Sequence, residues 1–261
     1  MRKSLMEHYL KRVPHLVDED HLDDPHVKAN LLLQAHFSRM DMPISDYVTD
    51  LKSVLDQSLR IIQAMIDISA NSGWLSSTMN CMHLLQMVMQ GLWYGKDSSL
   101  WMLPSMSDNI LSHLNQLDIF SIKQLLEFSN SKLYMLLEKA SALEVYEELL
   151  NFPRVKVKVN LSKDDAKDSA STFLNIRLAK TKKTSSSRAF VPRYPKMKDE
   201  AWWLVLGNVS TSELYALKRI SFSDRLVTKM ELPSMHINLQ ETKLFFISDC
   251  YLGLEQEIAI G

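Results

Sequence analysis

The hydrophobic spacing of this chain changes once, at Pro153, and that change limits the fold more than any other feature. Before the proline, apolar residues recur every three to four positions, the period that lays one stripe along a helix. After it, "RVKVKVNLS" alternates strictly, so one kind of side chain falls on each face of a strand. "STFLNIRLAK", "WWLVLGNV", "LYALKRISF", "VTKMELPS" and "TKLFFISDCYL" follow, with no helical pattern between them. Six or seven short strands at intervals of about 10 to 20 residues predict an antiparallel β-sandwich.

The helical part begins with "DDPHVKANLLLQAHFSRM". Asp24 is placed to cap a helix whose first position is Pro25, where the missing N–H costs nothing. A second, long helix runs through "TDLKSVLDQSLRIIQAMIDISANSGW" and is stopped by Asn71, Ser72 and Gly73. A third, "TMNCMHLLQMVMQGLW", is rich in methionine, which suits either an adaptable groove or a core. Met79, Met82, Leu85 and Met89 keep helical spacing, as core residues do. Between Leu103 and Pro153 four short helices are expected, separated by Ser, Asn and Asp caps.

Composition bounds the rest. A length of 261 residues with 46% hydrophobic content supports substantial cores. Thirty basic residues against thirty-one acidic ones give no global electrostatic pull toward nucleic acid, so any basic surface is local. Cys81 and Cys250 are the only cysteines, which suits a reducing compartment. No apolar run is long enough to cross a bilayer, and the polar start is unlike a signal peptide, so a soluble, non-secreted chain is expected. The basic, Ser-rich stretch "AKTKKTSSSRAFVPRYPKMK" reads as an exposed loop. Its Lys180, Lys182, Lys183 and Arg188 form either a nucleic-acid patch or a solvated surface.

Catalytic signatures are missing. "QGLWYGKDSS" is the nearest approach to a phosphate-binding loop, but Asp97 stands where a hydroxyl residue is needed and sets a negative charge against the phosphate. No zinc, redox, hydrolase or dinucleotide motif occurs. His15, His21 and His26 are close in sequence without the one-turn spacing of a helical metal site. The expectation is a chain that is no enzyme and needs no cofactor or metal.

Trp202 and Trp203 are adjacent in a predicted strand, so they point to opposite faces and cannot share one core. One ring should fill the sandwich. The other needs a cover, either the helical part of the same chain or a docking partner.

"DDPHVKANLLLQAHFSRM", "VLDQSLRIIQAMIDISANSGWL", "MVMQGLWYGKDSSLWMLP", "PRYPKMKDEAWWLVLGN", "LYALKRISF" and "FFISDCYLGLEQE", taken in order, resemble one known module. It is the Sec-sixty-three homology module at the C-terminus of large superfamily-2 RNA/DNA helicases, with the nearest likeness to helicases of coactivator and spliceosomal complexes. The resemblance implies three units: a helical bundle over 1–103, a helix-hairpin-helix-like domain over 104–153, and an immunoglobulin- or fibronectin-like antiparallel sandwich over 154–261. It implies an accessory, non-catalytic role beside the motor domains of an ATP-dependent helicase, nuclear or cytoplasmic, with other subunits of a nucleoprotein complex as partners.

In that family a "ratchet" helix of the bundle touches the translocating single strand. The matching stretch here is "SVLDQSLRIIQAMIDIS", with Gln57, Arg60, Ala64 and Asp67 on one face and Gln63 and Ser58 beside it. Leu55, Leu59, Ile62 and Ile66 form the opposite face. An Arg and amides so placed can meet phosphate or stack on a base, or can be a solvated face. Three departures from the family stand out. By the resemblance the bundle is expected to start midway, as in a fragment, and the last strand to end early; "LPSMSDNIL" lacks the glycines of a phosphate-gripping hairpin. The competing reading is a protein-interaction scaffold with no nucleic-acid contact.

Overall fold

The computed structural model describes residues 9–164, 171–181, 188–232 and 238–260. Helix α1 covers Pro25–Phe37; the Asp24 carboxylate caps it by accepting from the His26 N–H at 2.7 Å. Helix α2 runs 27 residues from Ser45 to Asn71, and Gly73, at φ 75°, turns the chain back into α3, Leu75–Gln90. Gly91 closes α3 in the left-handed conformation that favours glycine. There Arg39 donates to the terminal carbonyls of Gln90 and Gly91, a cation placed where the helix dipole is negative.

Four short helices follow a 3-10 turn at Ser99–Met102: α4 Asp108–Gln116, α5 Ile122–Glu127, α6 Asn130–Lys139 and α7 Leu143–Leu149. Ser107, Ser121 and Ser129 cap the first three, and Ser121 forms a reciprocal capping box with Gln124. The serines that broke the sequence pattern are therefore what starts these three, while α7 follows Ala142 with no side-chain cap.

Beyond Pro153 the described residues form seven antiparallel strands in two sheets. The three-stranded sheet has the order β1 (Val155–Asp164), β2 (Ser171–Lys180), β5 (Arg225–Glu231). The four-stranded sheet has the order β4 (Glu213–Ile220), β3 (Trp202–Asn208), β6 (Thr242–Ser248), β7 (Gln256–Ala259). Leu174, Ile176 and Leu178 of one sheet share a core with Trp202, Leu204, Leu206 and Phe246 of the other. The whole is a mixed arrangement of helices and antiparallel sheets.

The four-stranded sheet is the middle layer. Every residue of β3 is buried, because its second face carries Trp203 and Val205 into the core built by Leu75, Met82, Leu85 and Met89. Trp202 is 1% exposed and stacks on Phe246 at 4.4 Å; Trp203 is 3% exposed, with the Arg219 guanidinium over its ring. Burial of each ring contributes on the order of 4–6 kcal/mol. The cover of the second tryptophan is the chain's own helical part, and neither ring is available as a docking surface.

Polar groups fasten the two halves as well. Gln86 Nε2 on α3 donates to the Ser248 carbonyl and Gln90 Nε2 to that of Cys250, each at 2.7 Å. The fully buried Asp249 carboxylate accepts from Arg219 at 2.8 Å and pairs with Lys198 at 3.1 Å. The Asp249 carboxylate is thus satisfied, as a buried charge must be, whereas Gln86 pairs through Nε2 and its Oε1 has no partner among the described residues.

Candidate nucleic-acid interface

Helix α2 keeps its two faces as the spacing predicts. Leu55, Ile62 and Ile66 are buried and Leu59 packs against the same core, whereas Gln57, Arg60, Ala64 and Asp67 are exposed. Gln63 is half-buried at the border. Ser58 is half-buried too, and its hydroxyl donates back to the Val54 carbonyl at 2.8 Å, so it serves its own helix.

The exposed face also carries Ile61 at 60% exposure, Met65 at 42% and Ile68 at 63%. At 100° per residue these lie about 20–80° to one side of Gln57, with Ala64 just on its other side, so the surface is mixed: an apolar strip with Arg60 and Asp67 along one flank. Sequence reasoning divided α2 between the Gln57 face and Leu55, Leu59, Ile62 and Ile66, and left these three unassigned. The available signal was that α2 is apolar on both sides, the pattern of a helix covered on both.

Charge on this face is set by one contact from outside it. Asp56 lies one turn before Arg60, and the Lys196 ammonium, 2.7 Å away, takes its carboxylate. That hydrogen bond lowers the Asp56 pKa below the ordinary carboxylate value. Among the described residues no carboxylate lies within salt-bridge distance of Arg60. A guanidinium so left has its fork of donors directed to whatever meets the helix.

Near the start of α2 is an open cleft of about 510 Å³ lined by His36, Arg39, Asp41, Val48, Trp101 and Arg193, among others. His36 is neutral there: burial lowers its pKa to about 4, and its Nε2–H donates to the Val88 carbonyl at 2.9 Å. The "QGLWYGKDSS" stretch beside it is a helix end and a turn, in which Asp97 accepts from the Trp93 backbone N–H at 2.8 Å.

The basic loop is not one cluster. Lys180 is the last residue of β2 and is buried: Thr172, Leu174, Ile176, Leu178 and Lys180 share a face, so the strand's alternation turns it inward. Its ammonium pairs with Glu200 at 2.7 Å and lies over the Phe222 ring. The reading of Lys180 as an exposed loop cation is thereby corrected. Arg188 is exposed and its guanidinium donates to the Met197 sulfur, while Lys182 and Lys183 fall outside the described residues.

Cys81 and Cys250 are unpaired, and among the described residues no helix is long and apolar enough to cross a membrane.

The family model described as the Sec63 Brl domain matches residues 2–261. The chain is 59% identical over 251 residues to the DExH-box ATP-dependent RNA helicase DExH14 of Arabidopsis thaliana, covering 95% of this chain and 12% of that protein. It is 35% identical over 297 residues to human activating signal cointegrator 1 complex subunit 3, covering 91% of this chain and 13% of that protein. With the human U5 small nuclear ribonucleoprotein 200 kDa helicase the identity is 28% over 257 residues, covering 97% and 12%. The chain thus spans only about an eighth of the length of these relatives. By the match across nearly its whole length, the chain belongs to the Sec63 Brl domain family.

Proposed function

We propose that this chain is a non-catalytic accessory module of an ATP-dependent nucleic-acid helicase, in which α2 guides a single strand of RNA or DNA. The observation that carries the reading is the outer face of α2. Arg60, with no carboxylate within salt-bridge distance among the described residues, and Gln57 offer donors to phosphate, and Ile61, Ala64 and Ile68 offer a smooth apolar track. Relatives with helicase names support it, and the motor domains of a parent polypeptide are the first partners.

Two stacked antiparallel sheets support an immunoglobulin-like sandwich, and the four short helices a hairpin-type domain, with units at 1–103, 104–153 and 154–261. The two-sheet part docks other subunits of a nucleoprotein complex, in the nucleus or cytoplasm. Hydrolysis of ATP belongs to the motor and not to this chain.

The test is fluorescence anisotropy of the purified chain with short single-stranded RNA and DNA. Arg60→Ala is expected to weaken binding by about tenfold and to make its salt dependence shallower. Unchanged binding would remove α2 from the strand's path. The exposed Ile61, Met65 and Ile68 favour a second reading, a protein-docking helix, which predicts binding insensitive to Arg60→Ala but loss of a protein partner on Ile68→Asp.

A further inference from the structure

The register of the three-stranded sheet places a set of cations together that are far apart in sequence. On its outer face Lys158 pairs across from Arg177, and Arg177 in turn from Val227. In the next row Lys156, Ala179 and Arg225 are aligned; on the other side come Asn160, Asn175 and Lys229, then Ser162, Phe173 and Glu231. Among the described side chains this face holds five cations, Lys156, Lys158, Arg177, Arg225 and Lys229, against one carboxylate, Glu231, at its end. All five cations are exposed. None has a carboxylate within salt-bridge distance among the described residues, in a chain whose overall charge is −1.

Like charges directly opposite each other on neighbouring strands are destabilising. Lysines at a sheet edge have a structural use, because they discourage strand-to-strand aggregation, and β1 is an edge strand. That use does not extend to Arg177 on the central strand, facing Lys158. Neighbouring rows are about 7 Å apart and neighbouring strands about 5 Å, so each charge lies within about a Debye length of its nearest neighbour in the set.

We propose that the outer face of β1, β2 and β5 binds the phosphate backbone of nucleic acid, at a site separate from α2. Charge complementarity selects a polyanion. The composition selects phosphate over an acidic protein segment: protein interfaces deplete Lys and are built around an apolar centre. Here the apolar side chains are Ala179, Val227 and Phe173, the last with the Lys229 ammonium over its ring at 6.0 Å. Lys, Arg and Asn without such a centre are the groups that hold a backbone without reading sequence. The inference stands apart from the reading of α2, since a strand held on the sheet needs no contact with Arg60.

The test is anisotropy of the full chain with labelled single-stranded RNA of about 20 nucleotides and mixed sequence, over a salt series. Lys158→Glu with Arg177→Glu is compared with Arg177→Lys, each also in an Arg60→Ala background, and circular dichroism checks folding. Charge reversal is expected to weaken binding at least about tenfold in both backgrounds and to make the log–log salt slope shallower by about 1.4, the share of two phosphate contacts on a single strand. Arg177→Lys should stay within about twofold of the parent chain. Binding within about twofold after charge reversal, in a variant that keeps its fold, overturns the proposal. So does a chain that binds a glutamate polymer through these residues and not RNA. Loss on Arg60→Ala alone, with none on charge reversal, would uphold the α2 reading and reject this one.

Discussion

Lys180 and Glu200 face each other at 2.7 Å with 1% and 7% of their side chains exposed, and Glu200 also accepts from the Trp202 indole N–H at 2.9 Å. A charge pair this deep is held by its geometry, and removing one member leaves the other buried and unpaired. Lys180→Met is therefore expected to destabilise the chain by roughly 3–5 kcal/mol in urea unfolding. Adding Glu200→Gln should restore a large part of the loss. A single substitution that is nearly neutral would mean Glu200 finds water or another cation.

Gly207 sits at the bulge where β3 shifts register against β4. A Cβ there would lie 2.7 Å from the Glu213 carbonyl oxygen and 2.9 Å from the Leu75 methyls. The Glu213 contact is backbone and cannot rotate away, so Gly207→Ala is expected to cost more than about 2 kcal/mol by overpacking and backbone shift. Because Leu75 begins α3, the damage should spread to the join with the helices. Hydrogen exchange of the amides from Leu75 to Met82 tests this: faster exchange is expected, and unchanged protection with unchanged stability would contradict it.

Much of this architecture was legible because each element obeys its period. The alternation at Val155 to Val159, the cap at Asp24 and the stop at Gly73 each mark an element locally. The tryptophan pair was legible as a demand for two covers, and parity alone divides Trp202 from Trp203. Lys180 was misread because its neighbours in "AKTKKTSSSR" are loop-like in composition, although its parity with Leu178 aimed it inward. Of the cationic sheet face, only the β1 share was legible, since the alternation sets Lys156 and Lys158 on one side. The rest depends on β2 pairing with β5 past β3 and β4, and such long-range register is not written in any local pattern.

Stability should fall in acid through two histidines. Burial lowers the pKa of His36 and of His83 from 6.5 to about 4; His83 stacks on Tyr94 at 3.8 Å, with no hydrogen-bond partner for its Nδ1 among the described residues. Between those values the unfolded chain binds protons that the folded chain refuses, so stability is lost as pH falls from about 6.5 toward 4, by up to about 3 kcal/mol per group. Glu255 acts in the opposite sense. Burial raises its carboxyl pKa, so its contribution declines as pH rises above the usual carboxylate range. His83→Phe keeps the stack and removes the titration. Urea midpoints between pH 7 and 4.5 should fall less steeply in this variant than in the parent, and equal slopes would contradict the assignment.

The central claim is that the outer face of α2 meets a nucleic-acid strand, and the most direct measurement is where a strand cross-links. Photo-cross-linking of the chain to single-stranded RNA carrying 4-thiouridine, followed by tryptic mapping, is expected to mark the peptides on either side of Arg60, with attachment between Gln57 and Ile68. Cross-links confined to other elements, with this stretch unmarked at saturating RNA, would contradict it.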